Sequence, residues 1–197
     1  YGQQNATTFE AFGLDTYRKK FPGLGEYYHS GRESGRQKSP SEYARDLVEF
    51  MDGLHEQYEN RIFYIFLDPS AKGLAEEVRR ATRPGLDYQV FLRDAENDVA
   101  FGISRVQKAL VFDIMSISPK QEYAVQEFGT YEYDKKSIEK GKEVPVKEAD
   151  HCMDAIRYVV MGAWSKIKHW LPLDIVEDDV NIGDISSREV REEDEYL

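Results

Sequence analysis

The order of local patterns predicts a mixed α/β fold, with antiparallel strands first and then helix, strand, helix, strand, helix. Three observations carry this reading. Thr7-Thr8-Phe9-Glu10-Ala11-Phe12-Gly13-Leu14 reads as an alternating strand. Ile62-Phe63-Tyr64-Ile65-Phe66-Leu67 is apolar without alternation, the pattern of a strand buried on both faces. Between and after these stretches, apolar residues recur at helical spacing.

Taken in order, the first strand is followed by a basic strand end over 16–21, a turn at Pro22-Gly23-Leu24-Gly25, and a second strand at Glu26-Tyr27-Tyr28-His29-Ser30. Ser39-Pro40-Ser41-Glu42 is a capping box with Pro at the first helical position, and Tyr43, Leu47, Phe50, Met51 and Leu54 set a helix from Pro40 to about Tyr58. After the apolar strand come Asp68-Pro69-Ser70, a helix over 71–80, a turn at Pro84-Gly85 and a strand over 88–92. Asn97 is expected to cap a helix reaching about Phe112, and Ser118-Pro119-Lys120-Gln121 to open a short helix to Phe128. A strand over 130–134 and a lysine-rich excursion over 135–147 lead to a long helix over 148–171. Met153, Ile156, Val160, Met161, Trp164 and Ile167 form its apolar face, and Pro172 ends it. The boundaries predict one domain over 1–172 and an acidic extension over 173–197. The opening, Tyr1-Gly2 before a polar turn, reads as the middle of a β-hairpin.

The formal charge of the 197 residues is -11 at pH 7. This excludes a basic arm that grips nucleic acid by charge alone. Residues 174–197 hold ten acids against Arg188 and Arg191, so -8 of that charge belongs to the extension and the body is nearly neutral. Such a run is ordinarily a solvated segment; its functional alternative is a partner-binding or autoinhibitory one. The single cysteine cannot form an internal disulfide and suits an intracellular setting. The longest apolar run, Ile62 to Leu67, is too short to cross a bilayer.

Acids stand at two places where chemistry is plausible. Asp68 follows the most apolar strand, at the carboxyl end where α/β sheets bind ligands, although Asp-Pro is equally a turn. At the start of the long helix, Asp150 and Asp154 are spaced i,i+4 and His151 and Asp154 i,i+3, so all three can share a face. Acids in a first turn also suit the helix dipole. Carboxylates with an imidazole and no thiolate partner favour Mg²⁺ or Mn²⁺ over tetrahedral zinc. Cys152 projects away from them and reads as core packing. The loop Gly31 to Lys38 brings Arg32, Arg36 and Lys38 as candidate phosphate contacts, but lacks the spacing of a nucleotide-phosphate loop.

Several motifs in order then carry a resemblance: Tyr1-Gly2-x-x-Asn5-x-Thr7, Tyr28-x-x-Gly31-Arg32-x-x-Gly35-x-Gln37, Ser41-Glu42-Tyr43 and Asp68-Pro69-Ser70-Ala71, then Asn97-Asp98-Val99-x-x-Gly102-Ile103 and Pro145-Val146-Lys147-Glu148-x-Asp150-His151-x-Met153-Asp154-Ala155-x-Arg157-Tyr158. Over residues 1 to about 165 the chain resembles the C-terminal nuclease domain of the large terminase subunit of tailed bacteriophages and prophages. The resemblance implies an RNase H-like mixed sheet flanked by helices, and a Mg²⁺- or Mn²⁺-dependent endonuclease that cuts concatemeric double-stranded viral DNA by two-metal phosphodiester hydrolysis during packaging. It implies metal held by Asp68, His151 and Asp154, with Asp150 as the competing assignment for the third catalytic acid. It implies, as partners, the terminase small subunit and the portal or procapsid, in the cytoplasm of an infected bacterium. Arg32, Arg36, Lys38, Lys135, Lys136, Lys140 and Lys142 are then the candidates to guide the DNA backbone. The family's first-strand Asp would stand immediately before Tyr1. Two other readings fit the same acids: a docking domain with an impaired metal site, and another RNase H-like nuclease such as a resolvase or transposase.

Overall fold

The computed structural model describes residues 6–82, 85–132, 134, 145–146 and 150–176. The mixed α/β order holds. Strand β1 (Thr7–Phe12) pairs antiparallel with β2 (Phe21–His29), from Thr7 opposite His29 to Phe12 opposite Gly23, with an irregularity between Ala11 and Phe12. Strand β5 (Met115–Ser116) adds to β2 in parallel, giving a mixed sheet in the order β1-β2-β5. Strands β3 (Ile62–Leu67) and β4 (Gln89–Asp94) form a parallel pair, in register from Ile62 opposite Gln89 to Leu67 opposite Asp94.

The expected turn at Pro22 to Gly25 lies inside β2. The reversal instead falls earlier, where Asp15 and Lys20 exchange backbone hydrogen bonds of 2.9 and 3.0 Å. Once those residues close the turn, opposition to Ala11 and Phe12 carries Gly23 and Gly25 into the ladder despite their weak strand preference.

Helix α1 (Pro40–Tyr58) starts and ends where its signals place it. The Ser39 side chain accepts from the Glu42 backbone N–H and the Glu42 carboxylate accepts from that of Ser39. Its buried stripe, Tyr43, Ala44, Leu47, Met51 and Leu54, repeats at helical spacing. Together with α2 (Lys72–Ala81), this stripe packs on Phe9 and Tyr27 of the first sheet and on Phe63, Ile65, Leu67, Val90 and Leu92 of the second. Alternation along β3 sends Ile62, Tyr64 and Phe66 to the opposite face. Contrary to the expectation of a strand buried on both sides, Ile62 and Tyr64 are 54% and 58% exposed there.

Helix α5 (His151–Ile167), continued by a 3-10 turn at Lys168–Trp170, covers the other side with α3 (Val99–Val111) and α4 (Glu122–Thr130). It begins at His151, and residue 148, the expected start of this helix, lies outside the described residues. A Cβ at Gly162 would collide with the Phe66 ring, so glycine there lets α5 lie directly on β3. Two helix starts differ from expectation. Asp98, not Asn97, caps α3 through the Phe101 N–H. Helix α4 starts at Glu122 rather than at the Ser118 box, because Glu26 of β2 accepts from the Tyr123 and Ala124 N–H groups at 2.9 and 2.8 Å. Residues 130–132 and 134 are not strand, although the Val146 N–H donates to the Glu132 carbonyl at 2.9 Å and Pro145 sits in a β-bridge; residue 133 lies outside the described residues. Thr130 closes α4 instead, its hydroxyl donating back to the Glu127 carbonyl at 3.2 Å. Residues 173–176 make a helical turn that packs Ile175 and Val176 on the core, and the extension from 177 lies outside the described residues. No described helix is long and apolar enough to cross a membrane.

Candidate active site

Asp68 follows the last residue of β3, where the strand gives way to the Asp-Pro turn. Its Oδ1 accepts from the Ser70 N–H at 2.7 Å, and its Oδ2 from the Tyr158 hydroxyl at 2.8 Å. Burial pulls its pKa up, but the hydrogen bonds from the Ser70 side chain, the Ser70 backbone and Tyr158 outweigh this and hold it below the usual carboxylate range. The group is therefore ionised at neutral pH. The Tyr158 phenol is held above its ordinary range by burial, by its bond to Asp68 and by the charges of Asp68 and Asp154, so it remains a donor.

Asp154 stands one turn before Tyr158 on α5. Its Oδ1 accepts from Arg157 at 2.8 Å. The same guanidinium nitrogen donates to the side-chain oxygen of Asn97 at 3.3 Å, and that oxygen lies 3.2 Å from the Tyr158 hydroxyl. Asp68 and Asp154, 86 positions apart in the sequence, are thus joined through Tyr158, Asn97 and Arg157. Arg157 is 2% exposed, and its Nε and Nη1 have no hydrogen-bond partner among the described residues. Its stem is pressed over Gly102 of α3, where a Cβ would collide with it. The spaced motifs at Asn97 to Gly102 and Asp154 to Tyr158 are therefore two halves of one contact.

His151 and Asp150 open the same helix, with His151 Nδ1 3.8 Å from Asp150 Oδ1. Asp150 is buried at the N-cap. Of the candidate DNA contacts, Arg32 is exposed, whereas Arg36 pairs with Glu42 at 2.7 Å and Lys38 with Asp46 at 2.6 Å. Those two cations already hold the loop to α1. Lys135, Lys136, Lys140 and Lys142 lie outside the described residues.

A second polar cluster, which the sequence reading does not pick out, lies under α4 and α5. The ligand atoms of Glu10, Glu26 and Cys152 stand within 4.8 Å of one another, a group that can hold a metal ion. Glu10 accepts from Gln121 at 2.8 Å and from the Thr8 hydroxyl at 3.0 Å, while both oxygens of Glu26 serve the start of α4. Glu127 of α4 in turn accepts from the Cys152 and Met153 N–H groups at 2.7 and 3.2 Å, capping α5. Burial, reinforced by the Glu26 charge, pushes Glu10 up to about 8. Burial also lifts Glu127 to about 7, and burial with the charges of Glu10 and Glu127 pushes the Cys152 thiol up. Because donors already occupy the carboxylate oxygens, this cluster is complete as a polar core. Its sequence signal is a glutamate among the apolar residues of β1, β2 and α4.

No family model matches the sequence, and no curated protein matches it. Among solved structures, the large terminase from a thermophilic bacteriophage, in complex with ATP-γ-S, superposes with a TM-score of 0.71 at 32% identity, as does the same protein with ADP. A second crystal form of that terminase gives 0.69 at the same identity. The matches cover 81% of this chain but 37% of the ATP-γ-S complex and 36% of the second crystal form. In sequence and fold, the chain is therefore similar to a little over a third of a phage large terminase.

Proposed function

We propose that the chain is the nuclease part of a phage DNA-packaging terminase, a Mg²⁺- or Mn²⁺-dependent endonuclease acting on concatemeric double-stranded DNA. The observation that carries this reading is the joining of Asp68 and Asp154 at the carboxyl end of β3, beside the N-terminus of α5. The similarity to a phage large terminase supports it. An ionised Asp68, Asp154 and His151 supply hard oxygen and imidazole donors, a set whose chemistry fits Mg²⁺ or Mn²⁺, although their ligand atoms do not all stand within 4.8 Å of one another. When bound, such cations polarise a phosphodiester and favour ionisation of water. The chain's own share is to hold the carboxylates in place, with Asp150 as the alternative third acid. Arg32 and the lysines over 135–142 would meet the DNA backbone without reading sequence. In the whole protein, the small subunit and the portal or procapsid would be partners, in the cytoplasm of the infected cell.

The test is cleavage of plasmid DNA in Mn²⁺ by the chain and by a version carrying an Asp before Tyr1, each with and without Asp68→Ala. We expect nicking in at least one of them, and its loss by more than about 100-fold on Asp68→Ala. If both versions leave the plasmid intact, the reading fails.

A further inference from the structure

The carboxylates proposed to share cations come from different elements, and one of them sits in a turn. Left to itself, a turn aspartate samples several rotamers, and fixing it carries an entropic cost. Displacement of a catalytic group by about 1 Å is enough to cost orders of magnitude in rate. We propose that Tyr158 is a positioning residue that holds Asp68 from the helix bearing Asp154, and that Asn97 couples this fastening to Arg157, so that the two carboxylates are set as one unit.

The geometry supports this in three ways. First, Asp154, Tyr158 and Gly162 are spaced i,i+4,i+8 and so form one stripe of α5. Tyr158 meets Asp68 and Gly162 meets Phe66, which fixes the register of the helix along β3. Second, the Tyr158 hydroxyl has one proton and two acceptors within reach, Asp68 at 2.8 Å and Asn97 at 3.2 Å. The proton is shared between them in a three-centre bond that favours the charged, nearer Asp68 and still reaches Asn97. Third, the Asn97 oxygen must face Arg157, because the amide nitrogen there would confront a guanidinium donor. Arg157 has no room to drift, since its stem is pressed over Gly102. In this role the three residues act through Asp68 and Asp154.

This inference rests on the nuclease reading, and its test separates the two. In the version that cleaves plasmid, Tyr158→Phe, Arg157→Lys and the double variant are compared by Mn²⁺ titration calorimetry, by kcat and KM for nicking, and by thermal melting. Tyr158→Phe is expected to weaken Mn²⁺ binding about three- to ten-fold and to lower kcat about ten-fold or more, with KM for DNA unchanged. The double variant should lose less than the product of the two single losses, since both act through Asn97. Asn97→Ala, which keeps the phenol on Asp68, supplies the same reading if Tyr158→Phe does not fold, and should lower kcat several-fold. Folded variants with unaltered Mn²⁺ affinity and kcat, or losses that multiply independently, overturn the positioning role while leaving the nuclease standing. If the parent protein neither binds Mn²⁺ nor cuts, the nuclease reading fails and takes this inference with it.

Discussion

Replacing Glu10 with Gln should flatten the pH dependence of stability. In the folded chain this carboxyl titrates at about 8 instead of 4.5, chiefly because it is buried. The folded state therefore binds a proton that the unfolded state has released anywhere between these values, and stability falls as pH rises through that window. At about 1.4 kcal/mol per pH unit, the full displacement corresponds to about 4–5 kcal/mol. Between about pH 5 and 8.5, about 4 kcal/mol of it is lost. An amide cannot ionise, yet still offers an oxygen to Gln121. Urea titrations between pH 5 and 9, followed by the fluorescence of buried Trp164, read the difference. With a denaturant slope of about 2–3 kcal/mol per molar, the midpoint of the parent should drop about 1–2 M further than that of Glu10→Gln between about pH 5 and 8.5. A residual slope of the same sign remains from Glu127, which titrates at about 7. Parallel midpoint curves for the two proteins, or a parent that gains stability over this range, would refute the reasoning.

Two further substitutions test the packing. Gly162→Ala should destabilise by about 1–3 kcal/mol in a thermal or urea melt, because the clash with the Phe66 ring outweighs the roughly 1 kcal/mol that alanine gains in a helix. Ser39→Ala should cost about 1 kcal/mol by the same measurement, as the Glu42 N–H loses its side-chain acceptor.

What the sequence makes legible depends on how local the cause is. Helix α1 is announced by a complete capping box and a regular stripe, all within about twenty positions, and it forms as read. The apolar run of β3 likewise declares a strand, but its composition does not reveal that Ile62 and Tyr64 stay more than half exposed. Where partners are distant, the local signal misleads. Pro22 to Gly25 has the composition of a turn, and only pairing with β1 makes it strand. Ser118 to Gln121 has the pattern of a capping box, while the acceptor that starts α4 comes from Glu26, far back in the chain. Asn97 reads as a cap because Asn favours caps; Asp98 takes that role, leaving Asn97 to face α5. The candidate site divides the same way. Asp68, His151 and Asp154 are visible as acids and imidazole at revealing places, but the side chains that connect the two aspartates are an ordinary Tyr, Arg and Asn whose meaning lies in their neighbours.

The stripe of α5 over β3 has a metrical consequence. Four residues of helix advance about 6 Å, and two residues of strand about 6.6 Å. From Gly162 to Tyr158, and from Phe66 to Asp68, the two elements therefore measure out nearly equal lengths, as two rulers whose marks coincide at both ends. An insertion or deletion of one residue in α5 between positions 158 and 162 would turn these marks about 100° out of alignment. Substitutions on the outer face of the helix leave the spacing intact. Along this stretch, length is constrained more tightly than composition.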